Sequence, residues 1–202
     1  MDIENFVEKD NDFHINVDIQ PYIANIDRLR TLVRYQTSLR NIGESVAEHS
    51  FYVAALVLKL HDYYDFNLEK ALITALIHDI PEGSMSDVPF PIKEKHPELS
   101  KVLEDIEEDI MISKLSNEAN ELLKHFNAFD TPEGLVCRLA DILSVVIYAS
   151  DEIKTGNRFF NYIAFKAQKR CDDTLKMLEK YIKLPYTKTL IEDKIHQIMN
   201  IN

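Results

Sequence analysis

Apolar residues along this chain recur at intervals of three and four, and no stretch sustains the strict alternation of a half-buried strand. The pattern predicts an all-α protein. A first helix is expected over about residues 19–38, with Ile23, Ile26, Leu29, Leu32 and Val33 as its inward stripe. Ser45-Val-Ala-Glu48 is a capping-box signature and opens a second helix that runs to about Tyr64. Asn67 suits the N-cap of a third, which ends at His78-Asp79 because Pro81 and Gly83 stop it. Residues 83–97, GSMSDVPFPIKEKHP, read as a proline-punctuated loop, long enough within a domain to be functional. Residues 97–126 form an acidic amphipathic helix or helix pair with Leu99, Val102, Leu103, Ile106 and Ile110 inward. An apolar helix over 133–154 is closed by Gly156, suited to a left-handed C-terminal position. Two more helices are expected at about 158–183 and 187–200.

With 202 residues, 46% of them hydrophobic, the chain has enough apolar material for one well-packed domain. Its four glycines and seven prolines are few and cluster at 81–97, 132–134, 156 and 185 as punctuation between helices, so the reading is a single domain over 1–202 with a core at about 19–183. The net charge of −11 argues against a nucleic-acid polymer as partner. A small phosphorylated ligand needs only local positive charge, and four of the seven arginines (Arg28, Arg30, Arg34 and Arg40) lie just before His49. The opening MDIENFVEKDND has no apolar segment of a secretory signal. The longest apolar runs, 51–58 and 71–77, are far below the ~20 residues that span a bilayer, so no membrane partner is expected. Cys137 and Cys171 make neither a disulfide framework nor a zinc spacing, which fits a reducing cytoplasm.

The chemistry-bearing pattern is His49 one turn into the second helix, the doublet His78-Asp79 at the end of the third, and Asp141 inside the apolar helix. Two imidazoles and two carboxylates form a mixed nitrogen and oxygen set that suits a divalent transition metal. The helix ALITALI before the doublet is apolar all round and therefore buried, so two ionisable groups at its end need a partner or an ion. Plainer readings exist for each residue taken alone. His49 reads as a surface histidine, and His78-Asp79 as a solvated histidine beside an aspartate bonded to a turn. Arg138, Asp141 and Ser144 read as a polar stripe with a local ion pair. Glu82, three residues after Asp79, stands where a general acid or base belongs, and Asp87 in the next loop can share that role.

The ordered set His49, His78-Asp79, Asp141 on successive helices resembles the HD superfamily of metal-dependent phosphohydrolases. Within it, SVAEHS (45–50), HDIPEGSMSDVPFPIK (78–93), RLADILS (138–144) and DEIKTGN (151–157) are similar to the bacterial 5′-deoxynucleotidases. The resemblance spans about residues 28–160 and implies a helical HD domain that forms homodimers. It makes His49, His78, Asp79 and Asp141 the metal ligands, and Glu82 and Asp87 the residues that position and activate water. It gives Arg34 the phosphate or sugar, and makes position 35 the ring that crowds the 2′ carbon. Two departures stand out: Tyr35 replaces a tryptophan of that family, and Val-Val-Ile-Tyr (145–148) stands where tyrosine and lysine are frequent.

The expected activity is release of phosphate from deoxynucleoside 5′-monophosphates with one divalent Co²⁺, Mn²⁺ or Zn²⁺. Lys93 is expected to assist Arg34 at the phosphoryl group. The alternatives are a deoxynucleoside triphosphate hydrolase on the same scaffold, or a non-catalytic nucleotide-binding helical module.

Overall fold

The two N-caps read from sequence organise the centre of the molecule. Ser45 accepts a hydrogen bond from the Glu48 backbone N–H (3.2 Å), while the Glu48 carboxylate accepts from Ser45 N (2.7 Å). Both halves of the capping box are thus formed. In this computed structural model the described residues are 19–36, 38–85, 92, 95–183, 189, 193 and 197. Among them are α1 (Ile19–Thr31), α2 (Val46–Leu60), α3 (Leu68–Ile77), the short α4 (Glu82–Met85), α5 (Pro97–Lys114), α6 (Asn117–Ala128), α7 (Pro132–Lys154) and α8 (Phe160–Leu178). A 3-10 turn (Glu179–Tyr181) follows. No strand occurs among the described residues, only two isolated bridges. The all-α reading holds, and the expected helix at 187–200 falls largely outside the described residues.

Helix α7 is the axis of the bundle. It packs on α8, α2, α3 and α6, and its interior residues Leu135, Leu139, Ala140, Ile142 and Val146 are almost fully buried. Their partners include Val53 and Val57 of α2, Ala71 and Ala75 of α3, and Ala167 and Cys171 of α8. The small residues of α3 let its backbone come close enough for Cys137 Sγ to donate to Ala71 O at 2.9 Å. Gly156 has φ of +92°, as its predicted place requires. Its N–H reaches Ile153 O (2.9 Å) and Asn157 N–H reaches Glu152 O (3.0 Å), the paired bonds of a Schellman ending.

Several boundaries and faces differ from expectation. α1 ends at Thr31, not near residue 38, because Leu32 O accepts from Val46 N (2.9 Å) and Arg34 N donates to Glu44 O (2.9 Å). The first N–H of α2 has no partner in its own helix, and this crossing segment supplies one. The inward face of α1 is Tyr22, Asn25, Leu29 and Leu32, while Ile23 and Ile26 face out. Buried Asn25 decides that rotation: Nδ2 donates to Ile80 O (2.6 Å), and Oδ1 accepts from Ser84 (2.8 Å). α2 stops at Leu60, before a turn over 61–63, and α3 stops at Ile77 with His78 as its C-cap. Helix α4 enters the segment expected to be a loop. The acidic stretch is a helix pair broken at the N-cap Ser116. It buries Leu103 and Met111, and leaves Val102 and Ile106 exposed.

The Asn25 contact also fixes α4. A Cβ added at Gly83 would lie 2.7 Å from both Asn25 O and Asn25 Oδ1, and backbone cannot yield as a flexible side chain would. Gly83→Ala is expected to lower stability by about 1–3 kcal/mol. A urea midpoint equal to that of the parent chain would show that α1 does not bear on this turn.

Candidate metal centre

Four side chains from three helices and their ends meet beneath α7. His49 is wholly buried in the first turns of α2, His78 caps α3, Asp79 follows it, and Asp141 comes from α7. His49 Nε2 lies 3.3 Å from Asp141 Oδ1 and 3.5 Å from Asp79 Oδ2, and His78 Nε2 lies 3.4 Å from the same Asp79 oxygen. Donor atoms of His49, His78 and Asp141 all fall within 4.8 Å of one another. Neither Nε2 atom has a hydrogen-bond partner, although both are shielded from water. Leaving such nitrogens unsatisfied costs about 1–3 kcal/mol each. Ligands bound at about 2.1 Å around a tetrahedral divalent ion stand about 3.4 Å apart, close to the 3.3–3.5 Å that separates each histidine Nε2 from its carboxylate oxygens. The donor set therefore fits a metal.

The outer ring nitrogen of His78 is held as ligation requires, while that of His49 has two competing partners. His78 Nδ1 lies 2.8 Å from Ala75 O. A carbonyl only accepts, so Nδ1 carries the proton and the Nε2 lone pair faces the cluster. His49 Nδ1 has two neighbours, Ser144 Oγ at 3.0 Å and Arg34 NH1 at 2.6 Å. Ser144 passes its own hydroxyl proton to Asp141 O (2.8 Å), so its oxygen accepts from Nδ1–H when Nε2 is a ligand. Arg34 instead donates to a bare Nδ1, the arrangement that puts the proton on Nε2. Burial works against ionised Asp141, but contact with His49 and then the charge of Arg138 outweigh it and hold the carboxyl well below its usual range.

One face of α7 continues past the cluster. Residues 141, 144, 148 and 152 recur at three and four, so they line a single stripe. Tyr148 stacks on Tyr35 (centroids 5.0 Å apart, planes at 10°), and Phe160 meets the same ring edge-on at 5.3 Å. Glu152 is fully buried. It accepts from Asn41 N (2.9 Å), Ile42 N (2.6 Å) and Asn157 Nδ2 (2.7 Å), which pins the segment carrying Arg34 and Tyr35. Tyr35 has φ of 57°, a strained value for a residue with a side chain, and these contacts keep it there. Arg34 NH1 also pairs with Glu44 at 3.0 Å. The sequence placed Ser144 in a plain polar stripe, and Tyr148 and Glu152 only within longer matched segments, with no role at the site for any of the three. Their shared period with Asp141 was the available signal.

A cleft of about 750 Å³ opens on the cluster, with His78, Asp79, Glu82 and Asp141 in its wall. Glu82, in the first turn of α4, thus stands beside the donors. Arg34 and Tyr35 are absent from the described lining and stand behind His49 instead. Asp87 and Lys93 lie outside the described residues. The local Arg138–Asp141 pair anticipated as a plain alternative also exists, at 3.4 Å, alongside the contact of Asp141 with His49.

Fold and site together define an HD-type phosphohydrolase scaffold, and comparison with known proteins makes this specific. The family model for 5′-deoxynucleotidases, YfbR-like, matches residues 21–197. The 5′-deoxynucleotidase PM0747 of Pasteurella multocida (strain Pm70) is 31% identical over 170 residues, 78% of this chain and 84% of that protein. The chain belongs to the YfbR-like 5′-deoxynucleotidase family. Its fold matches the crystal structure of an HD-domain phosphohydrolase (lin2634) from Listeria innocua at a TM-score of 0.62, with 24% identity over 87% of this chain and 99% of that one. The cyanophage S-2L HD phosphohydrolase DatZ, solved with dA and one catalytic Zn²⁺ ion, matches at 0.58 with 17% identity over 87% and 94%.

Burial, reinforced by the charge of Arg34, pulls the His49 pKa below its ordinary 6.5. Well above pH 6.5 neither folded nor unfolded chain holds that proton. As pH falls below about 6.5 the unfolded chain takes up a proton the folded one refuses, so stability falls with pH in that window. Asp141 acts only below its ordinary 3.8, where the folded carboxylate stays ionised after the unfolded one protonates. In metal-free protein the urea midpoint is expected to fall between pH 7 and pH 5, and His49→Gln to flatten that slope. An unchanged slope in the variant would remove His49 as its origin.

Proposed function

We propose that this chain is a metal-dependent phosphohydrolase releasing phosphate from deoxynucleoside 5′-monophosphates, with His49, His78, Asp79 and Asp141 as the metal ligands. The observation that carries the reading is the pair of buried, unpartnered imidazole nitrogens converging on two carboxylates at the end of an open cleft. Family membership supports the substrate class. A divalent ion held there would polarise a phosphate oxygen and lower the pKa of a water. Co²⁺, Mn²⁺ and Zn²⁺ all accept two imidazoles with two carboxylates, and the zinc of the DatZ structure supports that group of ions.

The chain's own residues do the rest. Glu82 takes a proton from the attacking water at its carboxylate, with Asp87 helping to orient that water. Arg34, with Lys93, offsets charge that develops on the phosphoryl group. Arg34 is a secure cation: burial weakens it, yet Tyr35, Asp79, Glu44 and Asp141 more than compensate. Tyr35 crowds the sugar at the 2′ position. Carboxylates of α5, among them Glu104, Asp105 and Glu108, line the same cleft and favour one phosphoryl group over three.

The chain acts as one domain over 1–202, in the cytoplasm, and as a homodimer. Exposed Phe51 of α2 (70%) and Phe165 of α8 (66%) support self-association. No helix among the described residues is long and apolar enough to cross a membrane.

Phosphate release should be measured across mono- and triphosphates of deoxy- and ribonucleosides with added Co²⁺, Mn²⁺ or Zn²⁺. Asp79→Ala is expected to lose metal binding and hydrolysis together. Glu82→Gln should retain the metal and lose about 10²- to 10⁴-fold in turnover. Wild-type turnover by Glu82→Gln would assign the proton transfer to another group, and full activity of metal-free Asp79→Ala would remove the mechanism.

A further inference from the structure

Arg34 is the cation expected at the phosphate, yet its NH1 is already engaged by Glu44 and His49, and it is absent from the described cleft lining. Arg138 has the converse properties. It stands one turn before Asp141 on α7 and lines the cleft beside His78, Asp79 and Glu82. Its guanidinium carbon lies over two aromatic rings, 4.1 Å from the centroid of Phe126 and 4.9 Å from that of Phe129. Such packing orients a planar cation without consuming its N–H donors. Its contact with Asp141 is long, 3.4 Å, and its buried Nε has no hydrogen-bond partner. Arg170 of α8 lines the same cleft and adds a second positive charge.

We infer that Arg138, assisted by Arg170, forms an anion subsite in the cleft that holds the phosphoryl group of a phosphate monoester next to the four metal donors. The inference rests on the function proposed above for the identity of the ester, and on the cleft alone for the binding of phosphate. A guanidinium fork held over two aromatic rings matches two oxygens of a tetrahedral phosphate. With Arg34 against His49 and Arg138 against Asp141, the donor cluster lies between two arginines. In a protein of net charge −11, whose Glu104, Asp105 and Glu108 line the same cleft, these arginines supply the positive charge that a dianion needs there.

The test uses the full chain loaded with Co²⁺, titrated with inorganic phosphate by calorimetry, so that no turnover is needed. Arg138→Met keeps the stem packed on Phe126 and removes the charge. It is expected to weaken phosphate binding about ten- to a hundredfold, the loss of a charge-assisted hydrogen bond. Co²⁺ affinity, measured separately, should stay within about twofold of the parent's by the same reckoning, since Arg138 is not a donor. Arg138→Lys should recover part of the loss, and the KM for a deoxynucleoside monophosphate should rise in Arg138→Met, while inhibition by the free nucleoside is unchanged. Phosphate affinity equal to the parent's would overturn the subsite, and so would a parallel loss of Co²⁺, which would mean that Arg138 acts through Asp141. Should Arg138→Met fail to fold, Arg138→Lys and Arg170→Met decide, and unchanged phosphate binding in both would be equally fatal. Parent protein that binds phosphate through Arg138 but hydrolyses no nucleotide would sink the proposed function and leave this subsite standing.

Discussion

Two imidazole nitrogens sealed from water and converging on one small volume impose the constraint on which the rest of this molecule turns. Neutral histidines in an apolar interior are tolerable only if each ring nitrogen is answered. The outer nitrogens are answered by Ala75 O, Ser144 and Arg34, while the inner pair face Asp79 and Asp141 across gaps suited to a shared cation. The helices converge here for that reason. α3 ends where its next residues can turn into the cluster, and His49 reaches it from the first turns of α2.

Register along α7 carries the constraint outward. Arg138, Asp141, Ser144, Tyr148 and Glu152 occupy one stripe about 21 Å long, at 1.5 Å per residue. In turn they reach the cleft, the metal donors, the outer nitrogen of His49, the ring of Tyr35 and the backbone of the segment after it. A helix is stiff over that span, so cleft, candidate metal donors and aromatic platform keep fixed separations. The strained backbone of Tyr35 is consistent with this, because only a rigid support holds a non-glycine residue in the left-handed region.

What could be read in the sequence was local or periodic. The capping box, the Asn67 cap and the Gly156 ending involve residues within about one turn of each other, and each appears where the pattern put it. The set His49, His78-Asp79, Asp141 was visible because buried titratable residues in apolar helices are anomalous. Contacts between distant segments left no such trace. Nothing near Glu152 announces that its acceptors serve Asn41 and Ile42, more than a hundred residues earlier. The early end of α1 likewise follows from a distant need, that of the Val46 N–H for an acceptor. The rotation of α1 misled for a related reason: Ile23 and Ile26 fit a helical stripe as well as Tyr22, Asn25 and Leu29 do. Only the polar docking of Asn25 onto Ile80 distinguishes the two.

The neighbours of His49 link charge to metal occupancy. Arg34 donates to Nδ1 only when that nitrogen is bare, which places the proton on Nε2, among the donors. Ser144 accepts from Nδ1 only when the proton is there, which frees Nε2 for an ion. The two arrangements exclude each other, so which of the two neighbours is bonded to His49 follows from which ring nitrogen carries the proton.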